Sequence, residues 1–327
     1  MTRAAWRTGL RIIPMLAVSV VIACAPAAQP RVDGNAVAVP QIDRALQARV
    51  EDAVRGFRGD VGVYVQHLGT GRAAAVRADE IFPTASMIKV PILVTVYDAV
   101  HRGALRMDTT LVYRDSLEYA GDDLVAKFRD SSKVALGKVA MLMITTSDNT
   151  GSLWLQGIVG GAAVNRWLSV HGFDSTRVNS RTPGREGDRA KFGWGQTTPR
   201  EMARLLTMIR AGDAVSRGAS EEMYRALTRI YWNGEALSQL PPWVQAASKQ
   251  GAVDRSRSEV VLVNGPSGDY VFSVITRNAV DMSYAKSNEG YQLIRRVSAL
   301  LWQEFEPRHP WRPDSAARRF KPGEELP

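Results

Sequence analysis

Metal chemistry and disulfide scaffolding are the first things this chain lacks. One cysteine, Cys24, stands among 327 residues, which excludes a disulfide framework, a cysteine-based zinc site and an iron–sulfur cluster. The four histidines, His67, His101, His171 and His309, lie far apart with neither HxH nor HExxH spacing. They read as surface or hydrogen-bonded histidines, so a metallohydrolase is not expected, nor any metal or cofactor. The apolar run from Ile12 to Ala23 is twelve residues, short of the roughly 20 that a spanning helix needs. Internal repeats are absent. What is there is ordinary globular composition, 45% hydrophobic and 23% charged, which argues against disorder, collagen and coiled coil. The length suits one large domain or two intimate ones. A net charge of +9 invites nucleic acid, yet the arginines are dispersed and no binding motif accompanies them. No nucleic-acid partner is expected.

The start of the chain reads as an address. Arg3, Arg7 and Arg11 form a basic region ahead of the apolar run, which ends in Val21-Ile22-Ala23-Cys24. That ending resembles a bacterial lipobox, in which Cys24 is lipidated and becomes the new N-terminus. A buried core cysteine is the bland alternative, and the Pro-containing polar stretch from Ala25 to Pro40 argues against it. Residues 1–24 are therefore expected to be a lipoprotein-type signal and 25–40 a tether. Loss of residues 1–23 removes three arginines and no acids, leaving 9 − 3 = +6. The expected location is periplasmic, lipid-anchored through Cys24. Ala25 is no aspartate retention signal, which favours the outer membrane in a two-membrane bacterium.

Beyond the tether the hydrophobic period changes twice. Ile42, Leu46, Val50, Val54 and Phe57 fall at helical spacing. Val61, Val63 and Val65 alternate, and Gly69-Thr70-Gly71 then turns the chain into Ala73 to Val76, which reads as a hairpin. A helical middle runs over roughly 84–230. Strand patterns return at Glu259 to Val263 and Tyr270 to Thr276, a closing helix spans about 287–305, and 307–327 reads as a tail. The separated strands should rejoin. The expected class is α+β, an α/β sandwich plus an inserted all-α domain: sheet residues 41–80 and 231–306, with the helical insert at 81–230 and an antiparallel sheet flanked by helices.

Three short motifs carry chemistry. Ser86-Met87-Ile88-Lys89 places an amine three residues after a hydroxyl, on one helical face. Thr84 is the expected N-cap, which puts Ser86 in a first turn whose free N–H groups favour an oxyanion. Ser283-Tyr284-Ala285-Lys286 matches the same pattern, but only Ser86 is followed by an apolar helix, Val90 to Val100. Pro91 inside that helix breaks a local rule. Ser147-Asp148-Asn149 sits between two apolar helices and by itself reads as a helix-capping turn. Lys249-Gln250-Gly251-Ala252 has Lys-x-Gly rivals at Lys191 and Lys321, but only the Lys249 copy leads into strand-like sequence.

The order and separations of these motifs, 61 residues from Ser86 to Ser147 and 102 from Ser147 to Lys249, change their weight. With Thr197-Thr198-Pro199 opening a helix, the set resembles the class A β-lactamases and their penicillin-binding relatives over roughly Ile42 to Phe305. The resemblance implies a serine hydrolase acting on β-lactams, or a penicillin-binding D,D-peptidase acting on D-Ala-D-Ala substrates, or a penicillin sensor or sink. It implies Ser86 as nucleophile, Lys89 as its base and Ser147 as proton relay. Asn149 would hold the substrate amide, Lys249 and Gln250 its carboxylate, and the Ser86 and Ala252 N–H groups the oxyanion. Arg255 or Arg257 would support the carboxylate site. A monomer is expected. Gln250 departs from the usual Thr or Ser. The larger departure lies in the glycine-rich loop 174–196, where the family's water-activating glutamate maps to Thr182, before Pro183. Glu186 and Asp188 are the nearest acids, either loop charges or, for Glu186, a substitute base, so slow deacylation is expected.

Overall fold

The computed structural model describes residues 1–2, 37–119 and 123–314. Cys24, the leader, most of the 25–40 tether and the end of the 307–327 tail lie outside the described residues. No described helix is long and apolar enough to cross a membrane.

The chain from Asn35 onward forms one unit. It opens with β1 (Gln41–Ile42), α1 (Arg44–Val54), β2 (Asp60–His67), β3 (Arg72–Val76) and β4 (Phe82–Pro83). A 3₁₀ turn, Ala85–Ile88, runs into α2 (Lys89–His101). β5 (Thr110–Val112), β6 (Lys133–Ala135), α3 (Leu136–Thr145), α4 (Asn149–Val159) and α5 (Gly161–Val170) follow. Then come β7 (Arg177–Val178), α6 (Glu186–Phe192), β8 (Gly195–Thr197), α7 (Pro199–Ala211) and α8 (Arg217–Leu227). β9 (Ala246–Val253), β10 (Ser256–Gly265), β11 (Gly268–Arg277) and α9 (Glu289–Phe305) close the described chain.

The early and late strands do rejoin, in the order β1-β3-β2-β11-β10-β9. All neighbours are antiparallel except β1 and β3, which run parallel. Successive side chains of a strand point to opposite faces, and here both faces are covered. Val63, Val65, Val261, Phe272 and Val274 pack with α1 and α9 residues such as Leu46, Leu293 and Trp302. Tyr64, Val260, Leu262 and Ile275 pack on the other side with α2 and α7 residues such as Leu93, Met202 and Leu206. The sheet is thus the middle of three layers, an α+β architecture. Because α2 lies inside this second core, it is apolar nearly all round.

Several expectations shift locally. The first helix begins at Arg44, after Asp43, whose carboxylate accepts the N–H groups of Ala45 and Leu46. Pro91 breaks no rule, because it occupies the first turn of α2, where an N–H has no helical partner to lose. Thr84 does not cap: its hydroxyl is buried without a hydrogen bond.

Candidate active site

The turn that presents Ser86 is held against the sheet. Ala85, in the left-handed region at φ 44°, bends the chain into the 3₁₀ turn so that Ser86 precedes α2 by one turn. A Cβ on Gly251 of β9 would lie 2.6 Å from the Thr84 carbonyl oxygen and 2.9 Å from the Ala85 Cβ. Only glycine lets turn and strand approach this closely.

Lys89 starts α2 with no exposed surface, and its Nζ lies 3.0 Å from Ser86 Oγ. It also meets Ser147 Oγ at 3.2 Å, Asn149 Oδ1 at 2.6 Å and the Ser147 carbonyl oxygen. Burial pushes its amine down to about 7, against the opposing pull of Asp123 and Asp148. Lys249, also fully buried, donates to Ser147 Oγ at 3.0 Å. Burial first, and the Lys89 charge second, hold Lys249 well below the usual lysine range. Ser147 Oγ therefore stands between two amines of reduced proton affinity. Its own backbone is left-handed, φ 61°, a conformation that non-glycine residues adopt where the surroundings impose it.

Ser147-Asp148-Asn149 is the helix-capping turn it reads as by itself, and it also reaches the Lys89 amine. Asp148 caps α4, accepting from Gly151 N at 2.7 Å, and also accepts from Val125 N at 2.8 Å. Fixing that turn aims its two neighbours at Lys89. Sequence reasoning missed Asp123, whose carboxylate accepts the Asn149 N–H at 2.8 Å and both N–H and hydroxyl of Thr150 at 2.9 Å. Nothing in its local sequence marks it, since its partners lie 26 and 27 residues on.

Two cavities flank Ser86 and share Asn149 and Ala252. One, of about 680 Å³, runs toward Tyr119, Trp194 and the end of α6. The other, of about 700 Å³, includes Ser147, Gln250, Trp232 and Tyr291. Gln250 folds onto its neighbour: its Oε1 accepts from Lys249 Nζ at 3.0 Å. Two of the three sequence decoys border the cleft, Lys191-Phe192-Gly193 in the first cavity and Tyr284 of the second Ser-x-x-Lys in the other, while Lys321 lies outside the described residues.

Two candidates are not brought to Ser86. Arg257 points to the α9 face of the sheet, because its strand neighbour Ser258 turns the other way, toward the Thr84 carbonyl. Its guanidinium is buried between Tyr284 at 4.4 Å and Tyr291 at 4.9 Å and donates to the carbonyls of Val253, Ser256 and Ser283. It supports the two tyrosines of the second cavity and lines neither cavity itself. Glu186 opens α6, is exposed, and accepts from Gly184 N at 3.2 Å. Thr182 is buried, with its hydroxyl donated to the Ser180 carbonyl at 2.9 Å. Neither Glu186 nor Thr182 lines the cleft. Among the described residues no cluster of histidine, cysteine and carboxylate could hold a metal.

Comparison with known proteins agrees with this geometry. The model of the beta-lactamase enzyme family matches residues 44–305. Beta-lactamase L2 of Stenotrophomonas maltophilia is 29% identical over 200 residues, which cover 59% of this chain and 64% of that protein, just under two thirds of its length. A beta-lactamase of Streptomyces fradiae is 27% identical over 76% of this chain and 82% of its own. Among solved structures, PBP-A superposes with a TM-score of 0.74 at 27% identity, covering 83% of this chain and 99% of its own.

Proposed function

This chain belongs to the beta-lactamase enzyme family, and we propose that within it the protein is a class A-type serine hydrolase that opens β-lactam rings through an acyl-serine intermediate. The observation that carries the reading is the contact chain Ser86–Lys89–Ser147–Lys249, closed by distances of 3.0, 3.2 and 3.0 Å.

Lys89, with its amine near 7, takes the Ser86 proton as Oγ attacks the carbonyl carbon. The oxyanion forms between the N–H groups of Ser86 and Ala252. Ser147 passes a proton to the lactam nitrogen as the C–N bond breaks, drawing on the lysines on either side. Burial lowers Lys249, and a substrate carboxylate beside it would favour its charged form, so substrate binding itself completes the ion pair. Asn149 holds the acyl amide, and Gln250 lies beside the carboxylate.

Hydrolysis of the acyl-enzyme needs a base for water, and Thr182 offers none. Deacylation is therefore slow. The same absence favours a second reading, a penicillin-binding D,D-peptidase. It is supported by the likeness to PBP-A, of which one variant is described as an acyl-enzyme complex with penicillin G.

Labelled penicillin should attach to Ser86 and to nothing in Ser86→Ala, as read by intact mass and peptide mapping. Label on Ser86→Ala, or on Ser283, refutes the assignment. A monomer is part of the same proposal. Export with lipidation at Cys24 belongs to the same proposal: the wild type should fractionate with membranes and Cys24→Ser should not. A mature N-terminus downstream of Cys24 contradicts it.

A further inference from the structure

The two cavities beside Ser86 differ in charge. The carboxylates that border the cleft among the described residues, Asp123, Asp148 and Glu235, all line the Ser147 side. Among the described residues, the Asn149–Trp194 side has no carboxylate in its lining and three cations: Lys191, Arg255 and Arg277. Arg277 is already engaged, with Asp60 at 3.0 Å and Glu80 at 3.1 Å. Arg255, in the turn between β9 and β10, has no side-chain partner among the described residues. Lys191, on the opposing wall at the end of α6, lies over the Phe192 ring at 5.0 Å and has no counter-ion there. Two uncompensated cations thus face one cavity from separate elements. A cleft lined by one sign of charge focuses its field on what enters it.

Which end of a substrate meets this charge follows from the catalytic assignment, on which this inference rests. Ser147, which serves the leaving nitrogen, lines only the other cavity, so the cationic cavity receives the acyl substituent. We propose that this cavity selects acyl donors whose acyl side chain carries a carboxylate, with Arg255 and Lys191 as the specificity residues. The preferred substrate is then a dicarboxylate: one acid beyond the leaving nitrogen at Lys249, the other on the acyl side between Arg255 and Lys191.

Benzylpenicillin and α-carboxybenzylpenicillin differ by one carboxylate at that position and make a matched pair. The readout is the ratio of their acylation rate constants on Ser86 in the full-length protein. The wild type should favour the dicarboxylate by roughly fivefold. Arg255→Ala or Lys191→Ala should each reduce the ratio, and the double variant should bring it to one or below. Salt at about 0.5 M should erode the wild-type ratio, since exposed charges are screened. Equal rates in the wild type, or a preference kept by the double variant, overturn the proposal. If neither penicillin labels Ser86, the acylation reading fails separately. Calorimetric titration of Ser86→Ala then tests the cavity alone. Tighter binding of the dicarboxylate, lost on adding both alanine substitutions, sustains the proposal; equal binding, or none of either, overturns it.

Discussion

Burial brings the Lys89 amine down to about 7 from its ordinary 10.5, so the neutral form that accepts a proton is available near neutral pH. Below that pH the protonated fraction grows and the base is lost. Acylation should therefore rise about tenfold per pH unit from pH 5, bend near pH 7, and level off above it. A stopped-flow profile of acylation from pH 5 to 9 measures this, and a flat profile would contradict Lys89 as the base. At this scale the sequence was informative where motifs are local. Ser86 and Lys89 are three residues apart, and Ser147 and Lys249 stand out only through their order and spacing. Asp123 was invisible because its partners come from a helix start far along the chain. Arg257 and Arg255 could not be told apart until the fold put Arg257 on the α9 face of β10 and left Arg255 in the β9–β10 turn beside the cleft.

The loop 174–196 shows what periodicity cannot reach at the scale of elements. It contains α6, seven residues long with no buried position, and the two short strands β7 and β8. A helix without a buried face leaves no apolar stripe to detect. The glycines there have a definite use, since Gly184 and Gly193 flank α6 at φ 78° and 72°, where a side chain is strained. This folding sends Lys191 and Trp194 to the cleft and leaves Glu186 at the exposed start of α6. Glu186→Gln should therefore change neither the acylation burst nor the later turnover by more than about twofold, whereas removal of a positioned general base typically costs ~10²–10⁴-fold. A selective slowing of turnover in nitrocefin kinetics would make Glu186 the substitute base after all.

At the scale of the molecule, the rejoining of early and late strands in one sheet was legible from the return of strand patterns after a long helical middle. The signal came from connectivity: strands that cannot leave their edges unpaired must find one another. The parallel β1–β3 pair escaped, because two residues carry no pattern. Burial on both faces also blurs alternation, so β10 and β11 read as apolar runs from which face could not be assigned. The three layers bring Ser86 from the start of α2, Ser147 from before α4 and Lys249 from β9 to one point. Acylation needs only these groups and the neighbouring N–H donors. In the proposed function deacylation needs a base, and among the described residues the cleft wall from Lys191 to Trp194 carries none. Stopped-flow hydrolysis of nitrocefin tests this separation directly. The account predicts a burst close to one equivalent, absent in Ser86→Ala, followed by turnover slower than the burst by about 10² or more. Fast linear turnover from the first milliseconds, or a burst that survives Ser86→Ala, would contradict it.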